Sequence, residues 1–194
     1  MRLIAITGGI GSGKSVVAHM LQVMGYNVYD CDSRAKALMV HDAEVRRQLI
    51  EAFGQETYLA DGSINRNYLS DVAFANDELR RKLNGIVHPA TALDMSRWAE
   101  RQSRDGAELA FVETALLHTA GLDSQVDEVW HVTAPAEVRV KRVIARSGLT
   151  AAQVRSRIAS QAAEDEITAH EHVIVNDGDT ALMPQVIRLI TNKQ

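Results

Sequence analysis

The chain has 194 residues, of which 46% are hydrophobic, and a formal net charge of −4. A chain of this length and composition can bury a sizeable core, so we expect one large domain or a core with small insertions. The slightly acidic charge argues against a nucleic acid or a membrane surface as a partner.

The compartment is suggested by simple features of the sequence. A single cysteine, Cys31, excludes an internal disulfide and fits a reducing compartment. The predicted first strand begins at the N-terminus, so we expect no signal peptide, and no apolar run approaches the ~20 residues that span a bilayer. We therefore expect a soluble cytoplasmic protein without nucleic-acid or membrane partners. As a separate expectation, which these features do not determine, we take the protein to be a monomer or weak homo-oligomer.

A glycine-rich segment, GGIGSGKS at residues 8–15, follows an apolar predicted strand (2–7) and precedes a predicted helix (16–24). The segment matches the pattern G-x-x-x-x-G-K-[ST]. Glycines let backbone N–H groups approach a polyphosphate, and a helix N-terminus favours an anion. Lys14 would reach the β- and γ-phosphates, and the Ser15 hydroxyl would contact Mg²⁺. The segment therefore predicts nucleotide binding in preference to an accidental glycine-rich turn.

A second strand, predicted over residues 26–30, ends in an Asp-Cys-Asp sequence. Alternation along a strand would place Asp30 and Asp32 on the same side, and ligands of open α/β sheets bind beyond the carboxyl ends of the strands. The pair could supply a general base, a water-mediated Mg²⁺ contact, or both. The alternative is that Asp32 or Ser33 caps a helix beginning near residue 34. The sequence leaves these two interpretations open.

Residues 34–104 contain no convincing strand and predict a helical insertion in the sheet, of the kind that commonly carries a second substrate. Arg66 follows a turn and could pair with a phosphate or be a solvated surface residue. His88 could bind a substrate or be a packed histidine. The predicted elements are a helix over 34–53 with a possible break near 41–42, a turn at 61–63, one or two helices within 64–82, and a helix over 90–101 with Pro89 at its start.

A third apolar strand, predicted over 109–112, is followed by Glu113. A carboxylate at this point could organise Mg²⁺, or it could be an ordinary surface group. Whether Glu113 or Asp30 would do so is left open.

Three arginines lie on one face of a helix predicted from Pro135 to about residue 146, which follows a strand over 127–133. Arg139, Arg142 and Arg146 share that face by their spacing. They could clamp transferring phosphates, or form a solvated face paired with acids such as Glu137.

Residues 150–153 form a capping-box pattern that predicts a new helix. This helix carries arginines and predicts a small lid over the phosphates. A strand over 172–175 and a helix over 180–191 complete the chain. The His-Glu-His sequence at 170–172 has no further ligands at a recognisable spacing, so we predict no metal site there.

Taken together, these motifs resemble the dephospho-coenzyme A kinases. The glycine segment alone would indicate only a P-loop protein; the Asp-x-Asp, Asn-Arg and His-Pro sequences together indicate this family. The resemblance spans nearly the whole chain, in family order: residues 6–15, 30–32, 61–66 and 87–89, Arg142 with Arg146, Arg157 with Gln161, and residues 173–176.

The resemblance implies a three-layer α/β fold: a P-loop NTPase core with a parallel sheet, a helical acceptor-binding insertion and a small helical lid. It implies one kinase domain. The expected parts are a core of residues 1–33, 105–146 and 171–194, a helical coenzyme A-binding region over 34–104, and a lid over about 147–170.

The resemblance also implies transfer of the γ-phosphoryl group of ATP to the 3′-hydroxyl of dephospho-CoA, with Mg²⁺. Asp32 matches the base that acts on this hydroxyl, and Arg66 and His88 match the acceptor-binding region. Arg142 matches a phosphate-contacting arginine. The implied catalytic residues are therefore Asp32, Lys14 and Arg142. The implied nucleotide-binding residues are Gly11, Ser12, Gly13, Lys14, Ser15, which also binds the metal, Val16, and Asn176 near the base.

Some positions depart from the family pattern. Val16 stands at a usual Thr, Arg139 at a usual Gln, and His170-Glu171 at a usual Ala-Asp. The segment 113–119 replaces a usual Asp-x-Pro-Leu-Leu-Phe-Glu, so Thr119 is given no role.

Two other functions are alternatives to a dephospho-CoA kinase. One is another small-molecule or nucleoside kinase on the same core, and the other is a non-catalytic ATP-dependent switch.

Overall fold

Five strands form one sheet, in the order β2-β3-β1-β4-β5. In the computed structural model, which describes residues 1–191 apart from the side chains of Phe74 and Ala75, β1 pairs in parallel with β3 and β4, and β4 with β5. The carboxyl ends of these strands therefore meet at one edge. The strands are β1 (Arg2–Thr7), β2 (Asn27–Asp30), β3 (Leu109–Glu113), β4 (Glu128–Thr133) and β5 (His172–Val175).

Eight α-helices lie in the described part of the chain, and three single-turn 3₁₀ segments accompany them at Gln55–Thr57, Asp123–Gln125 and Ala162–Glu164. The helices are α1 (Lys14–Val23), α2 (Cys31–His41), α3 (Ala43–Phe53), α4 (Arg66–Ala75), α5 (Asp77–Arg104), α6 (Ala136–Ser147), α7 (Ala151–Ser160) and α8 (Leu182–Thr191). Within residues 1–191, none of them is both long enough and apolar enough to cross a bilayer.

The predicted break near residues 41–42 is confirmed and has a local cause. Asp42 leaves the helical conformation, and its carboxylate accepts the amide N–H groups of Glu44 and Val45. An aspartate in this position caps a new helix, so α2 stops and α3 begins within two residues.

The predicted helix start at Pro89 is wrong, because Pro89 lies inside the 28-residue helix α5. Proline is common at the first helical position but has no N–H to continue the hydrogen-bond ladder. Here the helix begins at Asp77, with two acidic residues in its first turn, where they complement the helix dipole. The chain continues through Pro89 as one helix.

By its contacts the chain divides into two units, residues 1–29 with the chain from 99 onward, and residues 30–98. The first unit contains the sheet and an apolar core. Ile4 and Ile6 of β1 pack in it with Leu21 of α1. Phe111 and Trp130, from the two strands beside β1, place their ring centroids 5.2 Å apart. Residues 3–6 of β1 are apolar and buried, as expected of a strand whose two faces are both covered.

The second unit, residues 30–98, has its own apolar cluster around Leu49 and Phe53 of α3 and Leu69 of α4. Two half-buried tyrosines bind backbone carbonyls at its border: Tyr58 donates its hydroxyl to Met39 O at 2.7 Å, and Tyr68 donates to Phe53 O at 2.6 Å. These bonds satisfy the phenolic hydroxyls where the rings are packed.

The predicted capping box at the start of α7 is confirmed. The Thr150 hydroxyl accepts the amide of Gln153, and the Gln153 side chain accepts the amide of Thr150. Gly148 ends α6 in the left-handed conformation, which glycine adopts without strain. The break between the two helices therefore follows from the Ser-Gly-Leu-Thr sequence itself.

Candidate active site

The glycine segment forms a loop between β1 and α1, at the edge where the parallel strands end. Helix α1 begins at Lys14, inside the segment and two residues before the predicted start. Gly13 has φ +99°, and a Cβ there would collide with the Asn176 side-chain nitrogen. A Cβ at Gly9 would collide with the Arg139 guanidinium and the Asp165 carboxylate. Close neighbours therefore disfavour a side chain at both positions, and at Gly13 the left-handed backbone conformation also favours glycine.

Two amides at the start of the loop are bound by side chains from the segment after α7. Gly9 donates its N–H to Asp165 Oδ1 at 3.0 Å, and Ile10 donates to Gln161 Oε1 at 2.8 Å. The loop is thus attached on this side to residues that follow the predicted lid helix.

Arg139 is buried against the loop, with 7% of its surface exposed. Its Nε donates to Ile10 O at 2.9 Å, and its Nη1 forms an ion pair with Asp165 at 2.6 Å. The sequence alternatives for this arginine were a phosphate clamp and a solvated basic face. The second is wrong for Arg139, because its guanidinium is committed to the loop backbone and to a partly buried carboxylate.

Asn176, directly after β5, holds the next carbonyl of the loop. It donates Nδ2 to Ser12 O at 2.7 Å, and its Oδ1 accepts from Arg142 Nη2 at 3.1 Å. Arg142 also donates to Asn176 O at 3.0 Å and, at a long 3.5 Å, to Ser12 O. Arg142 and Asn176, both predicted site residues, are therefore brought together against the loop.

Glu137 does not pair with the arginine face of α6 but with Arg155 of α7, at 2.8 Å. The hydrogen bonds from Arg155 hold the pKa of the Glu137 carboxyl below its usual range. The third arginine of the face, Arg146, is exposed. The predicted clamp of three arginines therefore separates into two that contact the loop and one at the surface.

Ser15 and Glu113 converge at the ends of α1 and β3, where the Ser15 hydroxyl donates to Glu113 Oε1 at 2.7 Å. A hydroxyl and a carboxylate are oxygen ligands of the kind that Mg²⁺ prefers, and Mg²⁺ at such sites is completed by phosphates and water. The chemistry of the residues present therefore fits a magnesium ion on the loop side of β3.

At the end of β2, Asp30 is the residue that caps α2. Its carboxylate accepts the Ser33 amide at 3.0 Å. Of the two interpretations left open by the sequence, the one in which Asp32 or Ser33 caps a helix near residue 34 is therefore wrong, because α2 begins at Cys31 with Asp30 as its cap. Asp32 lies in the first helical turn with an exposed side chain, so strand alternation does not relate it to Asp30.

The second unit contains a cavity of about 720 Å³. Its wall combines three basic side chains, Lys36, Arg66 and Arg80, with apolar ones. Arg66 is the first residue of α4 and follows the Asn65 cap. His88 lies within α5, half-buried, and is not among the lining residues, which are Lys36, Ala37, Met39, Val40, Ser63, Ile64, Arg66, Leu69, Ser70, Ala73, Arg80 and Leu83.

Some residues of the cavity and of the phosphate loop's surroundings were not predicted as site residues from the sequence. Lys36, Met39 and Val40 share one face of α2 by their i, i+3, i+4 spacing, and this spacing could have placed Lys36 beside an apolar wall. No local pattern identifies Asp165, because its partner Arg139 is 26 residues away.

Comparison with solved structures identifies the fold. A Thermus thermophilus protein of known structure superposes with a TM-score of 0.76 and 31% sequence identity, over 97% of this chain and 94% of that one. A dephospho-CoA kinase from Campylobacter jejuni superposes with a TM-score of 0.72 over 98% of this chain and 96% of that one; at 21% identity this likeness shows the fold alone. These superpositions confirm the predicted fold, a parallel sheet flanked by helices with the glycine loop after its first strand.

Sequence comparison identifies the family. The family model for dephospho-CoA kinase matches residues 2–181. A dephospho-CoA kinase from Bacteroides fragilis is 37% identical over 188 residues, which are 96% of this chain and 90% of that protein. The chain belongs to the dephospho-CoA kinase family, and the resemblance inferred from its motifs is confirmed.

Proposed function

We propose that this protein transfers the γ-phosphoryl group of ATP to the 3′-hydroxyl of dephospho-CoA, yielding CoA and ADP. The observation that carries the proposal is a complete phosphate loop at the carboxyl edge of the parallel sheet, in a chain of the dephospho-CoA kinase family. The proposed compartment is the cytoplasm, where the ATP that it uses is present.

The nucleotide's phosphates are bound by the loop at residues 11–16, with Lys14 beside the β- and γ-phosphates. Ser15, with support from Glu113, would hold Mg²⁺, which would supply positive charge to neutralise the phosphates. The 2.7 Å hydrogen bond between Ser15 and Glu113 supports this assignment. Arg142, half-buried beside the loop, adds positive charge near the transferring group.

Asp32 is the proposed general base, which accepts the proton of the acceptor hydroxyl as the oxygen attacks the γ-phosphorus. This role is supported by the exposed position of its side chain in the first turn of α2, where the helix dipole stabilises a carboxylate. It is also supported by the use of Asp30, not Asp32, as the cap of the helix.

The helical region over 34–104 is the proposed binding region for the acceptor, with Arg66 and His88 as acceptor-binding residues. The core parts remain 1–33, 105–146 and 171–194, and the segment 147–170 is the proposed lid. The cavity that Arg66 lines suits a coenzyme A precursor, which has both an uncharged arm and a diphosphate. Apolar walls bind the former, and cations bind the latter.

Replacement of Arg66 by Met should weaken acceptor binding, because a cation facing the diphosphate is lost while the apolar wall is kept. We expect KM for dephospho-CoA to rise roughly tenfold, with KM for ATP nearly unchanged. Steady-state kinetics with each substrate varied in turn measures both. Arg81→Met is the matched control, because Arg81 is exposed and does not line the cavity. Equal effects of the two variants would contradict the assignment.

Release of ADP, measured with and without an acceptor, tests the activity. With ATP and Mg²⁺, ADP should appear only when dephospho-CoA is present, and not with a panel of nucleosides, shikimate or gluconate in its place. Release with one of those acceptors would indicate a different P-loop kinase. Tight ATP binding without release under any condition would indicate a non-catalytic switch.

A further inference from the structure

Two carbonyl groups of the phosphate loop, two residues apart, are each held by a side chain. Arg139 of α6 donates Nε to Ile10 O at 2.9 Å. Asn176 donates Nδ2 to Ser12 O at 2.7 Å and is itself held by Arg142. The two donors belong to different elements, α6 and the segment after β5, so the loop backbone is fixed at two separate places.

Fixing these carbonyls also fixes the direction of two N–H groups. In a planar trans peptide, the C=O and the N–H of the next residue point in opposite directions. No peptide bond among the described residues is cis. The Ile10 carbonyl bound to Arg139 therefore turns the Gly11 N–H away from Arg139, and the Ser12 carbonyl turns the Gly13 N–H away from Asn176.

The amides of the loop fall into two groups. Three of them have acceptors in the protein. The Gly9 N–H donates to the Asp165 carboxylate, the Ile10 N–H to the Gln161 side chain, and the Ser12 N–H to the Gly9 carbonyl. Within residues 1–191, those of Gly11 and Gly13 donate to no protein acceptor. Amides with no protein partner at the start of a helix are the groups that bind an anion.

The burial of Arg139 is consistent with such a role. A guanidinium with 7% exposure is costly unless it is paired, and the ion pair with Asp165 at 2.6 Å supplies the partner. Its Nη2 is buried without an acceptor in the described part of the chain. Burial of this guanidinium is therefore only partly compensated by its partners. Its Nε nevertheless donates to one loop carbonyl, that of Ile10.

We propose that Arg139 and Asn176 are positioning residues for the nucleotide phosphates. Each orients one peptide of the loop, Arg139 that of Ile10 and Gly11 and Asn176 that of Ser12 and Gly13, so that the two amides face the bound phosphates. Both act on the phosphates through the loop backbone and not by touching the phosphates. The inference rests on the proposed nucleotide site but is independent of the acceptor.

A matched pair of variants separates orientation of the peptide from the charge of Arg139. The Nε2 of a glutamine lies as many bonds from Cα as the Nε of an arginine, so Arg139→Gln can keep the donor to Ile10 O, whereas Arg139→Met cannot. Each is combined with Asp165→Asn, which removes the unpaired carboxylate and keeps an acceptor for the Gly9 amide. Both double variants have the same formal charge.

Titration with ADP, followed by calorimetry and by ¹⁵N–¹H correlation spectra, is the experiment. We expect Arg139→Met/Asp165→Asn to bind ADP roughly ten- to a hundredfold more weakly than Arg139→Gln/Asp165→Asn. On addition of ADP, the downfield shift of the Gly11 amide proton should be lost in the Met variant and kept in the Gln variant. Asn176→Ala should instead affect the shift of Gly13.

Lys141→Met, an exposed position on the same helix, controls for the loss of one positive charge and should bind ADP as the wild type does. The inference would be overturned if the Met and Gln double variants bound ADP equally tightly. It would also be overturned if both double variants lost the Gly11 and Gly13 shifts to the same extent.

Asn176→Ala tests the same idea at the other peptide if the Arg139 variants do not fold. Wild-type ADP binding without phosphorylation of dephospho-CoA would overturn the proposed function alone, and absence of ADP binding would overturn both.

Discussion

Asp32→Asn is expected to lower kcat by about two to four orders of magnitude, the usual contribution of a general base, while ATP still binds. The amide keeps the size of the side chain but cannot accept the proton of the acceptor hydroxyl. Turnover is measured by ADP release, and ATP binding by titration. A variant with nearly normal turnover would show that Asp32 is not the base.

The structure provides a matched control for this variant. Asp30 caps α2 through the Ser33 amide, and asparagine caps helices about as well as aspartate. Asp30→Asn should therefore change turnover little. A large loss of turnover in Asp30→Asn with none in Asp32→Asn would reverse the roles assigned to the two residues. The thermal unfolding midpoint, measured for both, should change little, because Asp32 is exposed and is not the cap.

Lys14→Met is expected to lower kcat/KM for ATP by about two to three orders of magnitude, the usual effect of removing one preorganised electrostatic group from the transition state. Methionine retains most of the length of lysine but cannot neutralise developing charge on the transferring phosphoryl group. Initial rates over a range of ATP concentrations give the value.

Lys141→Met is the control for net charge, since Lys141 is exposed on α6, and it should resemble the wild type. If both lysine variants lost activity to the same extent, the effect would be one of overall charge. If Lys14→Met remained fully active, the loop would not hold the phosphates in the way proposed.

Elements whose cause is local were predictable. Strand β1 and strand β5 lie where their apolar runs predict them. The capping box at Thr150 needs only two residues three positions apart. The glycine pattern predicted the loop because the pattern itself expresses a backbone requirement, at Gly13 most clearly.

Features that depend on distant residues were not predictable in the same way. Several residues compete for a helix start near Asp30, and only the folded backbone selects Asp30 over Asp32 and Ser33. Pro89 fits a helix start locally, yet α5 continues through it. Arg139 was grouped with a phosphate clamp because its ion-pair partner Asp165 lies beyond any periodic pattern.

Identification of the product formed by the wild-type enzyme tests the central claim most directly. Dephospho-CoA, ATP and Mg²⁺ are incubated with the enzyme, and the nucleotides are separated and examined by mass spectrometry and ³¹P NMR. The account predicts one ADP formed for each CoA, with the new phosphomonoester on the ribose 3′-oxygen. Phosphorylation at another position, or ADP formation without a phosphorylated acceptor, would contradict it.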